Sequence, residues 1–214
     1  DGQITQVLQR VFNLSETRTR GYDIAINYRY DLPEYGSLRL KLDWNHVTEY
    51  SITYEGNDGT VVNRYDGELD SGIFTDKARA SLTWSYEDLR VRWTTKYKSD
   101  IVDSHDRVED MRELFAENAA SCAAGDDSCV ENPEQPKYLY YPSYITHDIS
   151  LSYNLSLQGD QDVRLFAGVN NIFDDQGPFI PYTGDNVEHG VGNFDSEYGG
   201  GVGRFVYLGA QYSF

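Results

Sequence analysis

Cys122 and Cys129 are the chain's two cysteines, seven positions apart. At that spacing they suit a disulfide closing a small loop in an oxidising compartment. A two-cysteine metal site would need further ligands, and the nearest histidine, His105, is far off in sequence. The four histidines, His46, His105, His147 and His189, share no ligand spacing. Asp100, Asp103 and Asp106, and Asp126 with Asp127, are acid clusters able to hold Ca²⁺. Their spacing is not that of an EF-hand loop, and they read as solvated loop charge. The sequence carries none of the nucleophile-elbow, zinc-protease or dinucleotide-loop patterns. The chain is therefore expected not to be an enzyme and to need no cofactor or metal. The chemistry that remains is recognition by aromatic side chains, which give large contact area at small entropic loss. Tyr138, Tyr140 and Tyr141 stand in one polar segment, and Phe179, Tyr182, Phe194 and Tyr198 in another. These seven are the candidate ligand-binding residues.

Those segments are set apart by charge. The chain has 214 residues, a net charge of −17, 39% hydrophobic residues and 18 tyrosines. Segments 55–70, 100–137 and 172–200 carry net charges of −4, −8 and −6, and the remainder +1. They are also rich in Asn, Gly and Pro, so they read as long loops at about 55–72, 101–143 and 173–202. Within the second, Asp106-Arg-Val-Glu109 resembles a capping box opening a short helix whose apolar stripe packs the loop. The acidic balance argues against nucleic acid as partner. No apolar run reaches the ~18–20 residues of a membrane helix.

Between the loops the residues alternate. Leu38, Leu40, Leu42 and Trp44 interleave with Arg39, Lys41 and Asp43; Ile149, Leu151, Tyr153 and Leu155 interleave with Ser150, Ser152 and Asn154. A period of two means strands with one apolar and one polar face. A soluble sandwich and a membrane barrel share that pattern. The barrel is favoured by long strands, rows of Arg and Lys on the polar face, aromatics near strand ends, and connections that alternate short and long. Seven strands are expected, at about 5–30, 37–54, 73–86, 89–101, 143–157, 162–172 and 203–214. Bacterial barrels use an even number, so the chain reads as the C-terminal piece of a larger barrel whose open edges other strands must cover. A passive porin and a non-transport barrel fragment are the alternatives.

Four motifs, in order and at strand ends, carry a resemblance over essentially the whole chain. Gly21-Tyr22-Asp23-Ile24 is similar to a Gly-Val-Glu-Leu strand, with Tyr-Asp in place of Val-Glu. His147-Asp148-Ile149 with Tyr153, Gly168-Val-Asn-Asn171-Ile-Phe173-Asp174 followed by Gly177-Pro-Phe179, and Gly203-Arg-Phe-Val-Tyr207 with terminal Phe214 complete the set. Together they resemble the C-terminal part of TonB-dependent outer-membrane receptors. The resemblance implies an all-β, transmembrane antiparallel β-barrel of roughly 22 strands, of which residues 1–214 form the C-terminal seven. It implies a plug domain, absent from this chain, and the TonB-ExbB-ExbD complex acting through it. It implies location in the bacterial outer membrane, among lipid and lipopolysaccharide, and import to the periplasm of a scarce small-molecule or oligosaccharide ligand of carbohydrate, iron-siderophore or cobalamin type. Tyr212 and Phe214 resemble the terminal signal read during barrel assembly. Acidic, aromatic loops without a basic cluster lean toward a neutral, sugar-like or cationic ligand.

Overall fold

The computed structural model describes residues 15–56, 59–69, 71–134, 136–157, 161–180, 198 and 202–213. In chain order the elements are β1 (Ser15–Leu32), β2 (Gly36–Gly56), β3 (Gly59–Arg64), β4 (Asp76–Tyr86), β5 (Leu89–Lys98), β6 (Ile101–Val102), α1 (His105–Ala124), β7 (Tyr140–Tyr141), β8 (Tyr144–Ser156), β9 (Asp162–Asn170) and β10 (Phe205–Ser213). One antiparallel sheet runs β1-β2-β4-β5-β8-β9-β10, with β3 paired to β2; β6 and β7 form a separate small ladder. Each strand of the long path pairs with the next in sequence, as hairpin connections require. At one end the links are short: Pro33 to Tyr35, Glu87 with Asp88, and Leu157 to Gln161. Tyr35 N–H closes the first onto Leu32 O at 3.1 Å, and Leu157 N–H closes the third onto Gln161 O at 2.9 Å. Every long connection lies at the other end.

The register shows why alternation matters. Residues directly opposite in an antiparallel pair share a face, so one row can be followed across the sheet. Tyr28 faces Leu40, Leu40 faces Leu82, Leu82 faces Trp93, Trp93 faces Ile149, Ile149 faces Val169, and Val169 faces Val206. All seven strands thus put their apolar phase on one side. Among the described residues no other layer covers it: Leu40, Leu82, Leu151 and Leu208 are exposed, and no helix there is long and apolar enough to cross a membrane. A sandwich would bury this face under a second sheet. An apolar face this broad, left uncovered, is compatible with hydrocarbon and not with water.

Aromatics with polar handles border it. At the long-loop side Tyr22 stacks on His46 (4.9 Å), while Trp44 Nε1 and His46 Nδ1 each lie 2.8 Å from Asp76 Oδ1. At the short-turn side Trp84 stacks on Tyr86 and donates to Tyr35 O at 2.8 Å. Rings that are apolar on one end and hydrogen-bonded on the other suit the two interfaces.

Strand lengths divide by task. β4, β5, β9 and β10 have 11, 10, 9 and 9 residues, near the ~9–11 that cross a bilayer when tilted. β1 and β2 have 18 and 21 and project well beyond it at the long-loop end. A register shift at Arg20/Gly21 marks the transition. Gly21 permits it, since a Cβ there would lie 2.2 Å from His46 O.

The expected seven-strand sheet is present, and the loops contain more order than their composition indicated. The segment 55–72 is not loop throughout: Gly59–Arg64 folds back onto Ser51–Gly56 as a hairpin, because Thr60, Val61 and Val62 extend the β-branched pattern past the charged tip. The segment 101–143 holds β6, β7 and a 20-residue helix rather than a short one. The expected capping box does not form. Ser104 is the N-cap, without a side-chain cap, and α1 buries no residue. Of its apolar positions, Val108, Met111 and Phe115 are half-buried and Leu114 is exposed. Residues 1–14 of the expected first strand lie outside the described residues.

Candidate functional site

The long-loop end is built around a core of its own. Leu69, Phe74, Ile101, Tyr141, Ile180 and Tyr198 are buried together, with Tyr144 packed against them. They come from three connections, two from each. Backbone hydrogen bonds stitch these: Leu69 N–H donates to Val102 O and Val102 N–H to Gly67 O, at 2.8 and 2.9 Å, and Asp103 N–H donates to Leu139 O at 2.9 Å. Phe74 meets Tyr198 edge-on at 5.3 Å, while Lys77 and Lys98 lie over the Phe74 ring at 5.1 and 5.0 Å. The loops are therefore a packed body seated on β4 and β5.

This core divides the candidate aromatics. Tyr141 and Tyr198 are 3% and 1% exposed; they hold the loops together and offer no surface to a ligand. Tyr138, Tyr140 and Phe179 are exposed, and Tyr138 meets Phe179 at 6.0 Å. Tyr182 and Phe194 lie outside the described residues. The division was present in the sequence. Along 138–141 exposure alternates, with Tyr138 and Tyr140 out and Leu139 and Tyr141 in. Three tyrosines in such a run cannot share a face.

Charge around the body is locally paired. Arg64 holds Asp66 at 2.6 Å and also donates to Thr48 O. Burial pushes the Asp66 carboxyl up, but hydrogen bonds from Arg64 and the Tyr50 N–H outweigh it and hold the group below its ordinary range. Arg107 pairs with Asp103 one helical turn away. Burial, the Asp103 charge and its hydrogen bond push Tyr141 up to about 12. Asp126 accepts from Ser128 N–H in the turn after α1. These contacts engage Asp66, Asp103 and Asp126 in structural bonds.

The disulfide is formed, Cys122 to Cys129, with Cα atoms 4.9 Å apart. It closes the turn that leaves α1. Gly125 ends the helix at φ +73°, the left-handed conformation glycine adopts without steric cost. Asn118 then exchanges two hydrogen bonds with Val130, both at 2.9 Å. The bridge fixes the helix tip and brings no cysteine near the aromatic group.

The Asn171-Ile-Phe-Asp174 motif is a hinge of hydrogen bonds. Asn171 N–H donates to Asp148 on β8, its side-chain amide donates to Asp175 O, and Asp175 N–H returns a bond to its carbonyl. Asp174 accepts from Arg204 N–H at 2.6 Å, which sets the start of β10. Gly203 leaves room for that carboxylate, since a Cβ there would lie 2.5 Å from it. The motif ties the exit of β9 to its two neighbours. Tyr212 sits on the apolar phase opposite Val163; Phe214 lies outside the described residues.

Below the loops, the polar face is basic. Arg39, Arg79, Arg90, Arg92, Lys96, Lys98 and Arg164 share it with Asp43, Asp148 and Asp162. The alternation had already placed rows of Arg and Lys on this face; pairing brings the bases of separate strands together. Two cavities lie against this face, one of about 530 Å³ beside Asp43, Lys77 and Arg79 and one of about 170 Å³ beside Arg90, Arg164 and Phe166. Among the described residues no group of His, Cys, Asp and Glu is placed to hold a metal.

A family model described as "TonB dependent receptor-like, beta-barrel" matches residues 1–172. No curated protein and no solved structure matches the chain.

Proposed function

The chain belongs to the TonB-dependent receptor-like β-barrel family, and on that premise we propose that its loop body captures a scarce extracellular solute for active import into the periplasm. The family is one of outer-membrane transport proteins, and the sheet is a stretch of barrel wall. Its apolar face meets lipid and its polar face the lumen. The short turns are then periplasmic and the loop body extracellular, the asymmetry usual for such barrels. Family membership likewise brings a plug, TonB and a ligand; in this reading the plug completes the lumen and couples it to TonB.

The observation carrying the proposal is the exposed aromatic group on an ordered loop platform. Tyr138 and Phe179 stand together, and Tyr140 projects from the same two-residue strand that buries Tyr141. Rigid rings held by a packed core suit ligands of the carbohydrate, ferric-siderophore or cobalamin type, all of which present flat or apolar surfaces. The test uses the full-length receptor in intact cells. Tyr138→Ala, Tyr140→Ala and Phe179→Ala combined should weaken binding of the imported solute about 10-fold or more, since central aromatic anchors contribute ~2 kcal/mol or more. Surface level and heat-modifiability should stay unchanged. Asp126→Asn with Asp127→Asn should do little. Binding that survives the aromatic change and is lost with the aspartates would refute the reading.

A further inference from the structure

One part of the lumen wall is built differently from the rest. Ser150 and Ser152 on β8 are short and lie between strands carrying long side chains. Ser152 faces Arg90 on one side and Phe166 on the other; Ser150 faces Arg92 and Gly168. The two serines therefore form a floor, with arginines along one wall and aromatics along the other. The aromatics are drawn down onto the sheet by glycines. A Cβ at Gly209 would lie 2.4 Å from the Phe166 ring, and one at Gly168 2.4 Å from Tyr207. Arg164, two residues before Phe166 on the same face, closes the cavity of about 170 Å³.

Among the described residues no carboxylate forms an ion pair with the guanidinium groups here. Arg92 Nε donates to Thr83 Oγ1 at 3.1 Å, a neutral partner. Arg90 and Arg164 have no carboxylate partner among the described residues. Elsewhere on the same face Lys41 and Lys96 meet Asp43 and Asp148 at 2.8 and 2.7 Å. Three guanidinium groups around two hydroxyls, beside flat rings, make a receptor for a planar or tetrahedral anion. Guanidinium forks match carboxylate and sulfate oxygens, and the rings take the apolar face of whatever bears them.

We propose that Arg90, Arg92 and Arg164 hold the carboxylate or sulfate group of an acidic solute on its way through the lumen. This rests on the reading of the chain as a solute importer and names the class of solute: a carboxylated or sulfated saccharide, or a small anion of like size. It also reverses the lean toward neutral or cationic ligands that the loop charge gave.

The experiment titrates purified full-length receptor in detergent with sodium glucuronate, with inorganic sulfate and with glucose, by calorimetry. Wild type should bind glucuronate and sulfate and not glucose, and the affinity should fall with added chloride. R90Q with R164Q should weaken anion binding at least about 10-fold, while R39Q, on the same face but outside the cavity, should leave it intact. Anion binding unchanged in R90Q/R92Q/R164Q would overturn the proposal. So would a triple variant that binds no anion less well but exposes the N-terminal plug to protease, which would assign the patch to the plug. Solute import is read separately in cells. TonB-dependent import with no anion binding to the purified protein overturns the anion station alone; anion binding without energised import overturns the transport reading alone.

Discussion

Placing an arginine on the apolar face should prevent assembly, and the same change of volume on the opposite face should not. Leu40 faces Tyr28 and Leu82, and Leu151 faces Val91 and Ala167. Each is exposed, at 42% and 44%, because no layer among the described residues covers that side. An arginine near mid-bilayer on a barrel's outer face costs about 2–4 kcal/mol. The two positions lie on strands separated by β4 and β5, so their effects should add, to about 4–8 kcal/mol for Leu40→Arg with Leu151→Arg. That approaches the ~5–15 kcal/mol that keeps a typical domain folded. The opposite change, Arg39→Leu with Ser81→Leu, lies on the wet wall and should stay within about 1 kcal/mol in total. The assay is the fraction of full-length receptor that is heat-modifiable on gels, supported by urea unfolding in lipid vesicles. Each single apolar-face arginine should lower the folded fraction, and the pair should abolish it. Equal folded fractions in the two sets, or greater loss from Arg39→Leu and Ser81→Leu, would show that the faces are assigned backwards.

Alkali should loosen the loop body through Tyr141. Its folded pKa is raised from 10.0 to about 12, so its contribution is complete below pH 10 and is lost as the pH rises toward 12. Burial and the Asp175 charge also raise Tyr144, so phenolate absorbance should show late-titrating tyrosines of which Tyr141→Phe removes the component near pH 12; a late titration unchanged in that variant would place the shift elsewhere. Asn171→Ala should cost about 1–3 kcal/mol, since it removes both side-chain bonds to Asp175 and leaves alanine at φ +51°. The expected readout is a lower folded fraction partly restored by Asn171→Gly, which relieves the backbone but not the lost bonds; no difference among the three would refute the hinge.

The arithmetic of alternation was fully legible in the sequence, because the side-chain period of a strand is local: Leu38 to Trp44 and Ile149 to Leu155 reveal their two faces without any knowledge of partners. The short turns and the disulfide of Cys122 and Cys129 were legible for the same reason, being contacts within a few residues, whereas the bonds by which Asn171 and Asp174 tie β9 to β8 and β10 span 23 and 30 residues and came only with the fold. Non-local contacts decided the rest. Nothing near Tyr198 in the chain says that it closes a core with Phe74, since that contact exists only once separate loops converge above β4 and β5. Residues 59–64 looked like loop by composition, yet a paired edge on the projecting β2 made them strand. Rows of Arg and Lys on the polar face were legible from alternation, but the grouping of Arg90 with Arg164 followed only from register, because they stand on strands separated by β8 and pairing across two serines is what makes them neighbours. Local periodicity fixes which way each side chain points; only the pairing of strands fixes what it points at.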